Sequence, residues 1–415
     1  MADEEDGRMI GAAASMNVER KLTKLDIASW AGFGIFAISS VILAICLPEI
    51  SRTFATNLSE GGGMETARTL VLILVLLLAG MLAQRWGKKR FLTLGLYLIT
   101  LGLFLSSLAQ NYLMLLAAVM VMGIGGGFIE ALLNPLIVDI HHKESGKYLN
   151  VSHAFYPLGI VLASMLFGEL LTLGISWRLI FQIAAVITFM VAILFTVLRF
   201  PPTVRDNSAY PKLFAGVLSL GGFWLFALAI ALGGGVESAL LFWSRSYVGS
   251  YLSDIPRAGA IAVAVFAGAM AAGRFLTAYL ANKMSLSNIL IGSALLGVGV
   301  SVLIPFATNL YFFYALLAVA GLATASFWPT ILAEADSYLK ANTTILFVLL
   351  SSVGMIGYGL APWIIGLIGD SSELRAGLIV IPLLFVALII TLLIERSLKK
   401  RSKRVLVRAP QHPEL

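Results

Sequence analysis

Apolar residues run through this chain in long blocks separated by short polar gaps. Twelve blocks can be counted, at 27–50, 64–84, 91–109, 112–139, 149–173, 177–199, 213–248, 257–281, 287–306, 310–335, 343–368 and 375–395. A helix needs roughly 20 mostly apolar residues to cross a hydrocarbon layer of about 30 Å, and nearly every block meets that length. Inside such a layer each backbone polar group must find its partner within the segment, so blocks of this length are predicted to be helices. The pattern predicts an all-α membrane protein with twelve transmembrane helices. The gap after the sixth block, FPPTVRDNSAYPK, is polar, contains proline and lies near the middle of the chain. It divides the chain into an N-terminal segment (1–26), a first six-helix half (27–199), a linker (200–212), a second six-helix half (213–395) and a basic tail (396–415). No block leads into a large soluble domain. The acidic opening ADEED and the length of the first block do not fit a signal peptide.

Composition agrees with this reading. Hydrophobic residues make up 59% of the chain and charged residues 12%, about half the charged fraction of a soluble domain. Cys46 is the single cysteine, which excludes an internal disulfide and a multi-cysteine metal site. No cofactor or metal is expected. The net charge of +7 does not point to nucleic acid, because the charges fall in the gaps between apolar blocks. Their placement sets an orientation. Taking the N-terminus as inside, one set of gaps holds Arg20, Lys24, Arg85, Lys88, Lys89, Arg90, Lys143, Lys147, Arg199, Arg205, Lys212, Arg274, Lys283, Lys340 and the basic tail. The other side and its helix ends keep Arg52, Arg68, Arg178, Arg245, Arg257 and Arg375. Both termini are therefore expected in the cytoplasm, for a multi-pass protein of the plasma (inner) membrane. The tail reads as an orientation signal with some attraction to anionic lipid.

Ionisable residues inside apolar blocks are the candidate chemistry, because they are expensive there. Glu130 sits in the glycine-rich fourth block, with Asn134 four residues on and Pro135 next. The i, i+4 spacing puts Glu130 and Asn134 on one helix face, and Pro135 frees a backbone acceptor about a turn earlier. Apolar surroundings disfavour a charged carboxylate, so Glu130 is a candidate to bind solute and to carry a proton. His153, in the fifth block, is a second such candidate: imidazole donates hydrogen bonds and titrates in the physiological range. Glu237 follows the run Gly233-Gly234-Gly235, which weakens a helix and predicts a flexible or broken outer segment. Glu237 supplies hydrogen bonds to hydroxyls, and Tyr156, Trp243, Phe327 and Trp328 supply aromatic faces for the apolar side of a sugar ring. Arg245 has Glu237 and Glu169 as possible partners. Glu334 and Asp336 are expected at the inner end of the tenth block, solvated or tied to loop arginines.

Two inner gaps six blocks apart look alike: GMLAQRWGKKR (80–90) and AGRFLTAYLANKM (272–284). The first resembles the loop motif of the major facilitator superfamily through Gly80, Leu82, Ala83, Arg85, Gly87, Lys88 and Lys89. Gln84 stands where that motif usually has aspartate, which removes one partner of the charge lock such loops form with a neighbouring helix end. The fourth-block element Glu130, Asn134, Pro135, followed by Ser145, Gly146, Leu149, Asn150, Phe155, Phe167 and Gly168, resembles the fucose:galactose:proton symporter branch. So do residues 237–247, 272–275 and 327–335. The resemblance implies the major facilitator fold and a monomeric secondary active transporter. It would move a sugar or similar small polar solute by alternating access, in symport with protons, without nucleic acid as a partner. Gly80, Arg85, Gly87 and Arg274 are then loop residues acting on the conformational switch. The branch also tends to carry an aspartate in helix one, where this chain has Ala44. An efflux carrier for drugs or lipids and an uncoupled uniporter remain as alternatives. An enzyme is not expected: no soluble catalytic domain is present, and the 125–127 glycine run lacks the lysine of a phosphate loop.

Overall fold

The computed structural model describes residues 23–141, 145–201 and 210–408. Most of the expected N-terminal segment, the centre of the linker and the end of the tail, with Arg20, Lys143 and Arg205, lie outside the described residues. Among the described residues the chain is helical and has no strand. Among the described residues twelve helices are long and apolar enough to span a membrane: α1 (Lys24–Phe54), α2 (Leu58–Ala83), α3 (Lys88–Leu108), α4 (Tyr112–Ile140), α5 (Val151–Thr172), α6 (Trp177–Val197), α7 (Phe223–Tyr251), α8 (Pro256–Ala281), α9 (Leu286–Phe306), α10 (Leu310–Leu339), α11 (Ile345–Ser371) and α12 (Leu374–Lys399).

Polar caps set where these helices begin. Asn57 accepts from the Glu60 amide and Glu60 answers to the Asn57 amide, starting α2 several residues before its apolar run. Asn111, Ser176, Ser285, Asn309 and Asn342 cap the helices of α4, α6, α9, α10 and α11 one way only, each side chain accepting from a first-turn amide. Large apolar side chains such as Leu74, Leu162, Phe275 and Ile390 face outward, as suits a protein whose solvent is hydrocarbon.

Two sequence expectations change. The seventh block is not one helix from 213. A short helix, Tyr210–Leu218, ends first, and α7 starts at Phe223 after a turn. Gly233, Gly234 and Gly235 do not break α7, which is continuous from Phe223 to Tyr251 and buries all three. They let neighbours approach: a Cβ on Gly233 would lie 3.0 Å from the Phe327 side chain, and one on Gly234 would lie 2.9 Å from the Gly354 carbonyl oxygen. Small residues in membrane helices commonly serve this packing role. Interruptions occur instead near the distal ends of α9 and α12 and inside α10, whose helix stops at Thr324 and resumes at Phe327.

The first six helices are called the first half here, and the last six the second half. They meet where α2 lies along α11, α5 along α8, and α1 against α7. The end of the bundle where α1 starts is called basal here, and the opposite end distal.

Candidate functional site

A cavity lies where the halves meet. The first half contributes Ser40, Val41 and Ala44 from α1, Glu65 from α2, and Tyr156 and Ile160 from α5. The second half adds Ser238, Leu241 and Phe242 from α7, and Tyr358 from α11. The Tyr156 and Tyr358 hydroxyls face each other across the interface at 3.5 Å. Ser40 is within hydrogen-bonding reach of Tyr156, and Ser238 donates to the Tyr358 carbonyl at 2.5 Å. The free volume is about 10 Å³, on the order of one water. Loading anything larger requires the halves to part.

Glu65 is the carboxylate in this lining. It pairs with Arg68 one turn on: Nε to Oε2 is 3.0 Å and Nη2 to Oε1 is 2.5 Å. Both side chains are 2% exposed. Thr69 donates to the same carboxylate at 3.3 Å. The sequence reading places Arg68 among outer helix ends. The structure places it deep in α2, because the Asn57–Glu60 cap extends the helix beyond the apolar block. Glu-x-x-Arg beside an apolar run is the signal that marks the pair, since i, i+3 side chains meet on a helix.

The carboxylates singled out from sequence form a second polar group between α4, α5, α7 and α8. Glu130 has no ion-pair partner among the described residues, and the charge close to it is Glu237 of the other half. Glu237 in turn lies within electrostatic range of Arg274. Arg274 donates to the His153 carbonyl at 3.3 Å and its Nε has no partner among the described residues. His153 packs its ring on Phe33 at 5.1 Å. The Asn134 Oδ1 atom is buried without a hydrogen bond among the described residues. Thus Glu130, His153, Glu237 and Arg274 converge, and Tyr156 reaches the cavity. Trp243 does not line it: it is wholly buried and its indole N–H donates to the Pro362 carbonyl at 3.1 Å. Phe327 is packed on Gly233 and Phe385, and Trp328 lies against Gly234 and Gly354. Those three aromatics hold helices together within the second half.

The sequence matches the model of the Major Facilitator Superfamily over residues 29–291 and 255–413. The chain belongs to the Major Facilitator Superfamily. It is thus an integral, multi-pass membrane protein with the fold of transporters. It is 23% identical over 210 residues to the L-fucose-proton symporter of Escherichia coli (strain K12), an alignment covering 43% of this chain and 48% of that one. It is 26% identical over 215 residues to the acurin A biosynthesis cluster MFS-type transporter of Aspergillus aculeatus, covering 50% of this chain and 38% of the relative. The matches therefore span less than half the length of these curated relatives. In structure it is similar to the E. coli fucose:proton symporter FucP, with a TM-score of 0.65 and 18% identity, covering 89% of this chain and 98% of that one.

In this superfamily member the halves are bolted together distally. Arg245 of α7 reaches Glu49 of α1 at 2.9 Å, so its partner is neither Glu237 nor Glu169. Glu169 of α5 instead pairs with Arg257 of α8 at 3.1 Å. Asp370 of α11 accepts from the Leu58 and Ser59 amides at the start of α2, at 2.7 and 3.0 Å, where a helix dipole favours an anion. The basal pairs Lys88–Asp139, His141–Asp26 and Lys399–Glu334 each stay within one half. Glu334 is buried and held by Lys399, not by a loop arginine, and Asp336 accepts from the Thr343 hydroxyl. This is the conformer closed at the distal end.

The 80–90 loop keeps a charge lock despite Gln84. Lys88 reaches Asp139 at the end of α4 at 2.6 Å and the Pro135 carbonyl at 3.3 Å. Gly80 lies in the last turns of α2. Arg85 is exposed and covers the Trp86 ring at 5.1 Å. The α2 helix runs on past its apolar span to Trp86, so Gly87 alone separates it from α3, at φ 91° and ψ 143°, a conformation that side chains resist by about 1–3 kcal/mol. Gly87→Val or Arg85→Ala should slow solute exchange several-fold and leave equilibrium solute binding nearly intact, because neither residue reaches the cavity. A comparable loss of binding in a titration would remove the loop from the switching role.

Proposed function

We propose that the chain is a secondary active transporter that moves a sugar or similar small polar solute by alternating access, in symport with protons. The observation that carries this reading is the cavity to which both halves contribute hydroxyl groups and one contributes a carboxylate. Rocking of the halves exposes such a cavity to each side in turn. The similarity to the L-fucose-proton symporter supports the solute class. Glu130 is the proposed proton carrier, with His153 as the second candidate, and Asn134, Tyr156 and Glu237 are proposed solute contacts. The basal end is proposed to face the cytoplasm of a plasma membrane, by the lysine and arginine distribution.

Ala44 favours a second reading. It lines the cavity at the position where the resembled branch tends to carry a carboxylate, and a site with fewer carboxylates suits an uncoupled uniporter. Purified protein in proteoliposomes, offered a panel of labelled sugars with and without an imposed pH gradient, separates the two. Accumulation that follows the gradient is the expected result. Rapid equilibration without accumulation establishes the uniporter, and failure to move any sugar overturns the solute class.

A further inference from the structure

The buried pair in α2 is not used by the proton carrier proposed above. Glu65 lines the cavity, and Arg68, one turn away, lies within electrostatic range of both Tyr156 and Tyr358. The pair is nearly sealed from solvent, at 2% exposure on each side. Arg68 nevertheless leaves one nitrogen, Nη1, without an acceptor among the described residues. A buried guanidinium N–H without a partner is costly, so the site has an unmet need for an acceptor. Immediately beside it, the Glu65 carboxylate has oxygens that take donors. Paired charges at this depth are also hard to justify by stability alone, since well-packed apolar residues would often serve as well.

We infer that Glu65 and Arg68 are the solute-discriminating pair of the cavity, and that they select an uncharged solute bearing neighbouring hydroxyls. This rests on the proposed function and names the charge class its site accepts. The chemistry follows from the donor and acceptor standing side by side. Each hydroxyl of a polyol both donates and accepts, so two adjacent hydroxyls satisfy Glu65 and Arg68 together. A solute carboxylate would satisfy Arg68 but face Glu65, and a solute ammonium would satisfy Glu65 but face Arg68. The pair therefore rejects both signs while holding no net charge itself. Tyr156 and Tyr358, one from each half, are the hydroxyls that must separate for such a solute to enter.

The test uses one sugar scaffold in three charge states: D-glucose, D-glucuronate and D-glucosamine. Each is offered to the full chain in proteoliposomes, with uptake measured by counterflow and binding by thermal stabilisation of the solubilised protein. The wild-type protein should prefer glucose over either charged analogue by about tenfold or more. Glu65→Gln leaves Arg68 unopposed and should shift the preference towards glucuronate. Arg68→Gln should shift it towards glucosamine. Glu65→Gln with Arg68→Gln removes both charges and leaves neither unpaired. It should unfold at the wild-type temperature yet lose about tenfold or more in glucose affinity. Uptake of glucose with the same charge preference in both single variants, or full glucose affinity in the double variant, overturns the assignment and leaves the proposed function standing. Failure of the wild-type protein to bind or move any of the three overturns the hydroxylated-solute class for both.

Discussion

Glu130→Gln is expected to abolish accumulation driven by a pH gradient while sparing solute exchange. Glutamine keeps the size and hydrogen-bonding capacity of the neutral acid but cannot take up or release a proton. Glu130 suits a carrier because no cation among the described residues pairs with it: the nearby charge is Glu237, of the same sign and on the other half. Closing the halves around two neighbouring carboxylates, with Arg274 near Glu237 alone, is less favourable for the charged Glu130 than for its protonated form. That gives the proton a reason to accompany the conformational change. One pH unit is worth about 1.4 kcal/mol, or roughly tenfold accumulation at one proton per solute. The variant should bring that ratio to about one, with counterflow of unlabelled against labelled solute still measurable. Unimpaired accumulation would transfer the role to His153 or Glu237.

Gly62→Leu should push the protein away from the distal-closed conformer. The Cβ of any residue at 62 would lie 2.4 Å from the Pro362 carbonyl oxygen and 2.8 Å from the Trp363 Cα. Both are backbone atoms of α11, in the other half, and neither can rotate aside. The strain of overpacking, about 1–3 kcal/mol, falls on the closed form alone, because α2 and α11 separate distally when that end opens. The ratio of conformers should change by roughly 5- to 150-fold. Spin labels at Leu173, just after α5, and at Ile255, the residue before α8, both exposed at the distal end, report it. A new longer-distance population is the expected result. An unchanged distance distribution in a normally folded variant would mean that this contact does not hold the halves together. Gly366→Leu, whose Cβ would meet the Leu58 carbonyl oxygen at 2.4 Å from the opposite helix, should behave alike.

The spans were legible because hydrocarbon leaves the backbone few choices: a run of twenty apolar residues has to be a helix. What sequence misplaced were features decided by neighbours. Gly233 to Gly235 read as a weak point because glycine destabilises an isolated helix, whereas packing against Phe327 and Gly354 overrides that preference. Arg68 read as an end residue because hydropathy places the block edge at 64, while the cap at Asn57 sets the helix start. Glu130 stood out because it is alone in an apolar run. Glu65 was overlooked because it sits at the edge of one. The partners of Arg245 and Glu169 lie on helices of the other half, so spacing along the chain carries no trace of them. Trp243 has the composition of a sugar platform, but burial against Pro362 gives it a different task.

Where the two members of each ion pair reside also decides what an electric field can do. A charge crossing a membrane potential of 100 mV exchanges about 2.3 kcal/mol with the field. Glu65 and Arg68 ride on one helix, one turn apart, so rocking of the halves carries them as a dipole with no net charge. The distal pair Glu49 and Arg245 is split between halves, and opening moves its two charges apart. For the proposed uncharged solute and proton, the voltage then acts on the cycle through the charges around Glu130, Glu237 and Arg274 and through the separating distal charges, while the Glu65–Arg68 pair adds no net charge.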